Sequence, residues 1–173
     1  LQENKPAYDM FIRLVMLGPV FDINTIKQLR IENGPQGMKD LSAAEDLFVV
    51  NGALYIPEYE LTRKTVERIL TDDEKKAIAQ ELLLKLFKAD IRHPIQARFY
   101  NLLQDEKNEF AVWEKLSAVN ASMGDFSAYL NCSIKMLKLL DEKVIDENSE
   151  KTVDEYKLDI YEKISDLLYK YTP

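Results

Sequence analysis

Of the 173 residues, one is cysteine (Cys132), one histidine (His93), one tryptophan (Trp113) and only five are glycine. A single cysteine cannot close a disulfide within the chain, which suits a reducing compartment, and a cytoplasmic protein is expected. One cysteine and one histidine, far apart in sequence, do not make a zinc ligand set, which draws on three or four Cys, His or carboxylate donors. Long apolar runs are missing too. The richest, "LFVV" at 47–50 and "ELLLKLF" at 81–87, fall well short of the roughly 20 residues that cross a bilayer. Gly18 and Gly34 each precede proline, and no Gly-x4-Gly-Lys-Ser/Thr phosphate loop occurs. Excess positive charge is absent: 23 basic residues face 30 acidic ones, a net charge of −7. The acidity is evenly spread, with 15 acidic against 12 basic residues up to Asp90 and 15 against 11 beyond. Without a basic stripe to displace counterions, non-specific binding to nucleic acid or to an anionic membrane is disfavoured.

What is present is enough apolar material for a core. At 46 % apolar and 31 % charged, the chain suits one helical domain or a small domain joined to a helical repeat region. It opens at Leu1 and closes at Pro173 just after a helical pattern, so a piece of something longer is expected.

Apolar residues Tyr8, Phe11, Ile12, Val15 and Met16 recur at three- and four-residue steps, predicting an amphipathic helix stopped by Gly18-Pro19. Asp22 or Asn24 can cap a short second helix carrying Ile23, Ile26 and Leu29, which Asn33-Gly34-Pro35 breaks. A third helix is expected over 37–47. Asn51-Gly52 between two apolar runs then signals a β-hairpin, because both central positions of a type I′ turn need positive φ. Three short helices and a hairpin predict a winged-helix module over 1–70.

The helix "EYELTRKTVERIL" follows, and Thr71 with Glu74 forms a capping box that starts another, "DDEKKAIAQELLLKLFKAD". Ile78, Leu82 and Leu86 form one row on it and Ala79, Leu83 and Phe87 the next, as for a helix held between two others and bridging two parts of the chain. His93-Pro94 opens a further helix, with Pro where its missing N–H costs nothing. Two more, over 109–123 and 126–140, are joined by Gly124-Asp125, short enough to force an antiparallel hairpin. After the acidic linker "DEKVIDENSEK", the box Thr152/Glu155 starts a last helix expected to bury Tyr156, Ile160, Ile164, Leu167, Leu168 and Tyr171.

Trp113, Leu116, Gly124 and Phe126 stand in the register of a tetratricopeptide repeat, and the segment from Trp113 to about Asp141 resembles one. It departs from that pattern in Tyr129, where a small residue is usual, and in lacking a closing proline at Asp141. The stretches "RLVMLGPVFDINTIKQL", "LFVVNGALYIPEYELTRKTVERIL" and "TDDEKKAIAQELLLKLFK" resemble the winged-helix module that follows the ATPase core in signal-transduction ATPases with numerous domains, the class of maltose-regulator-like activators. That resemblance implies an upstream nucleotide-binding core and helical repeats after the module. The expected class is therefore mainly α: a small winged-helix module with one β-hairpin over 1–70, then antiparallel helical hairpins resembling tetratricopeptide repeats over 71–173.

No reaction is legible in the residues. Cys132 has no partner base nearby in sequence and reads as a small buried hydrophobe, His93 reads as a helix cap, and acidic clusters such as Asp72-Asp73-Glu74 suit helix N-termini without acid–base chemistry. The stretch Gly37–Val49, where a recognition helix would lie, carries Lys39 against Asp40, Glu45 and Asp46, which argues against reading DNA. Tyr156, Tyr161, Tyr169 and Tyr171 crowd the last helix, and Tyr129, Tyr161 and Tyr169 are the candidate partner-binding residues, because a tyrosine buries its ring while its hydroxyl stays bonded. The expected role is non-catalytic: a regulatory and protein-interaction fragment of a larger signalling ATPase or transcription regulator, without cofactor, metal or DNA contact of its own. The alternative is a free-standing helical-repeat adaptor for a basic peptide or helix.

Overall fold

The computed structural model describes residues 5–18, 21–22, 48–51, 54–57, 60–86, 93–141 and 152–171. Its contacts fall into two compact units, residues 1–89 and 90–173.

In the first unit, α1 (Lys5–Leu17) buries Met10, Phe11, Ile12, Leu14, Val15, Met16 and Leu17, so from residue 10 onward it is surrounded rather than half-covered. Arg13 is the polar exception on that stretch. Gly18 stops the helix with φ +117°, a backbone that a Cβ would oppose, and its N–H returns to the Val15 carbonyl at 3.1 Å. Strands β1 (Phe21–Asp22), β2 (Phe48–Asn51) and β3 (Leu54–Pro57) form an antiparallel sheet in the order β1-β3-β2, with Val50 opposite Tyr55 and Asn51 opposite Leu54. Helices α2 (Glu60–Ile69) and α3 (Asp72–Leu86) both pack on α1. The Thr71/Glu74 capping box forms at the start of α3, the Thr71 N–H donating to Glu74 at 2.8 Å and the Glu74 N–H to Thr71 at 3.3 Å.

Of the expected class the mainly α character stands, and the winged-helix module with one β-hairpin is corrected. Helices hold nearly all of the described residues, and no described strand exceeds four. The strand pair is not a two-stranded wing either: β3 keeps a second edge whose N–H and C=O groups need partners, and β1 supplies them. The helices expected over 23–31 and 37–47, the turn at Gly52 and the linker 142–151 lie outside the described residues. In α3 only Ala79 and Leu82 are buried. Ile78, Leu83 and Leu86 are half-covered and Leu84 is exposed, so the helix is not held on two sides within its unit.

The second unit is a run of four helices, each packed on the next: α4 (Pro94–Leu103), α5 (Glu106–Met123), α6 (Phe126–Asp141) and α7 (Val153–Tyr171). Every start is capped. His93 accepts the Ile95 N–H on Nδ1 at 3.2 Å while Gln96 accepts the His93 N–H at 3.0 Å. Asp105 accepts the Asn108 N–H and Asp125 the Ala128 N–H, and Thr152/Glu155 closes a full capping box. Gly124, at φ +74°, ends α5 and leaves only itself and Asp125 before α6.

Trp113 holds this unit together. Its ring packs on one cluster made of Ala97, Val112, Leu116 and Cys132 and on another made of Met136, Leu140 and Ile160, so one side chain joins the α4–α5–α6 core to the α5–α6–α7 core. Its indole N–H donates to Glu109 at 3.2 Å, and the Asn101 amide donates to the other oxygen of the same carboxylate at 3.0 Å. Glu109 is only 6 % exposed, and these two donors are what make its burial tolerable.

Candidate functional site

On α5, Phe110, Glu114, Ser117, Ala118 and Ala121 follow one another at steps of three, four or one, which puts them along one side of the helix. On α7, Tyr156, Asp159, Ile160 and Lys163 do the same. These two sides, with Tyr129 and Met136 of α6, enclose a cavity of about 400 Å³. Ala118 and Ala121 keep it open, because larger side chains at those positions would enter it. Phe110 and Tyr156 meet edge to face, centroids 5.8 Å apart at 83°, and brace its apolar side.

The polar lining is more telling. Tyr129 is 4 % exposed and Ser117 6 %, and neither hydroxyl has a hydrogen-bond partner among the described residues. No side-chain N or O among those residues is both sealed from solvent and without a partner, so both hydroxyls are open to solvent. Two carboxylates, Glu114 and Asp159, stand against one ammonium, Lys163. The arrangement is therefore rich in acceptors, flanked by aromatic rings and negative in balance.

A second cavity, of about 360 Å³, lies among Arg98, Asn101, Glu109, Trp113, Lys135 and Lys138. Its buried carboxylate is already engaged by Asn101 and Trp113. A third, of about 330 Å³ in the first unit, runs along the Arg13–Glu81 ion pair.

The three tyrosines singled out from the sequence do not meet. Tyr129 is buried and lines the large cavity, whereas Tyr161 and Tyr169 stand on solvent, Tyr169 91 % exposed. With Leu158 and Leu168 they mark an outer side of α7, at steps of three and seven, turned away from Ile160 and the core. Leu168, expected in the buried stripe, is more than half exposed, because the helical turn carries it beyond the Ile160–Ile164–Leu167 side. The side chain of Tyr171 lies outside the described residues. Glu114, Ser117, Asp159 and Lys163 were not singled out. Their spacing put each on a helix face, but only the pairing of α5 with α7 brings those faces together.

Cys132 is buried, the Asn120 amide donates to its sulfur at 3.6 Å, and burial pushes its thiol up, which keeps it protonated at neutral pH. Among the described residues no group of three His, Cys, Asp or Glu could hold a metal ion, and no helix is long and apolar enough to cross a membrane. Comparison of the chain with family models, with curated proteins and with solved structures finds no match in any of the three.

Proposed function

We propose that this chain is a non-catalytic protein-interaction fragment whose second unit binds a basic amphipathic segment of another protein. One observation carries the reading: α7 has two apolar sides, and only one of them is used by the core. Ile160 is buried with Tyr156 and Ile164 packed beside it, while Leu158, Tyr161, Leu168 and Tyr169 are exposed on the same helix. Exposed aromatic and aliphatic side chains in a contiguous stripe are the composition of an interface core. Asp154, Glu162 and Asp166 are exposed beside that stripe, so a partner with Lys or Arg flanking its own apolar residues is favoured by charge. A second copy of α7 laid antiparallel would bring Glu162 towards its own mate, which like-charge repulsion opposes.

The regulatory part of this proposal, coupling such a partner to an upstream nucleotide-binding core, rests on the resemblance of the first ninety residues to a module of signalling ATPases. Two experiments test the two parts. Selection of a random peptide library on the 173-residue protein is expected to enrich basic amphipathic sequences whose affinity falls at least about tenfold in a Leu158→Glu/Tyr161→Glu variant, the loss that follows from emptying an interface core. Absence of any enriched pattern would overturn the interaction reading. The coding sequence ahead of Leu1, with ATP binding by the intact protein, decides the regulatory part, which fails if no phosphate-loop domain is found.

A further inference from the structure

We infer that the cavity between α4, α5 and α6 binds a small organic phosphate, a phosphomonoester on a short apolar stem. This cavity shares no lining residue with the one beside α7 and draws nothing from α7 itself, so it stands apart from the partner-binding side proposed above, and either assignment can fail alone.

Charge is sorted within the second unit against the average of the chain. Over the whole sequence acids outnumber bases 30 to 23, and α7 carries five acids against three bases. The two helices that wall the cavity are the exception. α4 has Arg98 and no acid, and α6 has Lys135 and Lys138 with a single acid, Asp141, which is held by Lys157. All three cations line the cavity, against one carboxylate, Glu109, whose two oxygens are each taken by a donor. Lys135 and Lys138 are three residues apart and so stand on one side of α6, and neither makes an ion pair or a side-chain hydrogen bond among the described residues. Arg98 has a partner of its own and adds charge to the cavity rather than a free donor. Two like charges held side by side repel, and an anion shared between them relieves that repulsion.

The cations select a multiply charged group. A phosphomonoester carries about two negative charges near neutral pH and three strong acceptor oxygens, which serves two ammoniums at once, whereas a carboxylate brings one charge and two oxygens. Pro94, Trp113 and Leu139 add apolar surface, so the phosphate is expected on an organic stem rather than as the bare ion. A volume of about 360 Å³ admits a small molecule and no folded element. An extended polyanion such as nucleic acid is opposed by the net charge of −7, but a small anion in the cavity feels chiefly the charges within about 8 Å, the screening length at physiological ionic strength.

Trp113 is the only tryptophan and lines this cavity, so its single indole N–H resonance reports on occupancy. The 173-residue protein is titrated by NMR near neutral pH with phenyl phosphate, with phenyl sulfate, which keeps the shape but carries one charge, and with inorganic phosphate, which lacks the stem. Phenyl phosphate is expected to bind with a Kd on the order of 1 mM, shifting the indole N–H and the amides of Arg98, Lys135 and Lys138. Phenyl sulfate and inorganic phosphate should each bind at least about threefold more weakly, one for lost charge and the other for lost apolar contact. Lys135→Gln/Lys138→Gln, at two exposed positions, should weaken phenyl phosphate at least about fivefold. Lys115→Gln/Lys163→Gln, which removes the same charge from exposed positions outside the cavity, should leave its Kd unchanged within about a factor of two. No shift by about 20 mM phenyl phosphate, phenyl sulfate binding as tightly, or equal losses in the two double variants each overturns the assignment. Binding of the phosphotyrosine tripeptide acetyl-Ala-pTyr-Ala-amide more than about tenfold tighter than phenyl phosphate would overturn it in favour of a phosphorylated protein segment.

Discussion

The two units reach order by different routes. In the first, α1 is encased by elements far away in sequence, and its half-buried polar group, Arg13, is tied to Glu81, 68 positions on, through three hydrogen bonds of 2.7 to 3.1 Å. In the second, each helix packs on its neighbour in the chain, caps stand at every helix start, and the core carries polar groups in Gln96, Glu109 and Ser133. The first unit depends on chain closure over long loops, the second on short-range signals that add up. In the second unit the helices meet in sequence order and leave a groove where α5 and α7 flank α6.

The sharpest way to break this contrast is at Trp113. Trp113→Ala removes the one ring that both clusters share and is expected to cost about 3 kcal/mol, somewhat less than a fully buried tryptophan because this one is half-covered. Hydrogen exchange should show the loss across α4 to α7 with α1 to α3 unchanged. Uniform loss in both units would mean that they unfold as one, and the comparison would fail. Glu109→Ala comes next, at about 2 kcal/mol, because it removes the acceptor of both the Asn101 amide and the Trp113 indole. Glu109→Gln, which keeps an acceptor, should recover about half of that loss in urea titrations.

The same contrast explains what the sequence disclosed. Both capping boxes, the His93 cap and the Gly124-Asp125 connection were legible because each signal lies within about four residues of the atoms it satisfies. Trp113 stood out for its register, but the register did not disclose that its ring packs on two clusters. What could not be read is non-local. The full enclosure of α1, with Met10, Leu14 and Leu17 buried beside the expected stripe, depends on where α2 and α3 return. The third strand was invisible because β1 is two residues long and acquires its identity only from β3. The cavity was missed for the same reason: Glu114 and Asp159 are 45 positions apart, and nothing local marks Ser117 as anything but a polar residue in a helix.

A smaller effect sharpens the first unit. Burial raises the Glu81 carboxyl, but the hydrogen bonds from Arg13 and Lys85 outweigh it, and the group ends below its ordinary value of 4.5. A depressed carboxyl contributes stability that is complete above its unfolded value and is lost as pH falls through the folded one. The first unit should therefore lose stability below about pH 4.5, and Glu81→Gln should remove about 1 kcal/mol at pH 7 and flatten that acid limb, in keeping with a partly buried ion pair. Thermal melts of the variant and parent at pH 7 and below 4 check this, and an unchanged acid limb would show that Glu81 is not the titrating group.

The smallest expected effect tests the division of α7 into a structural and a solvent-facing side. Tyr169 is 91 % exposed, so Tyr169→Ala should change stability by no more than about 0.5 kcal/mol, as surface substitutions do. Ile160→Ala, nine residues earlier and 6 % exposed, should cost about 2 kcal/mol or more because it empties a place beside Met136 and Leu140. The gap between the two values measures how far α7 is divided between holding the unit together and facing outward. If Tyr169→Ala destabilised the isolated chain by more than about 1 kcal/mol, beyond the surface range, the ring would be packed on its own chain and the outer side of α7 would not be open to a partner. A near-zero cost combined with lost binding of selected peptides would instead fix Tyr169 as an interface residue, since a side chain that contributes nothing to folding and much to affinity can act only on what it meets outside its own fold.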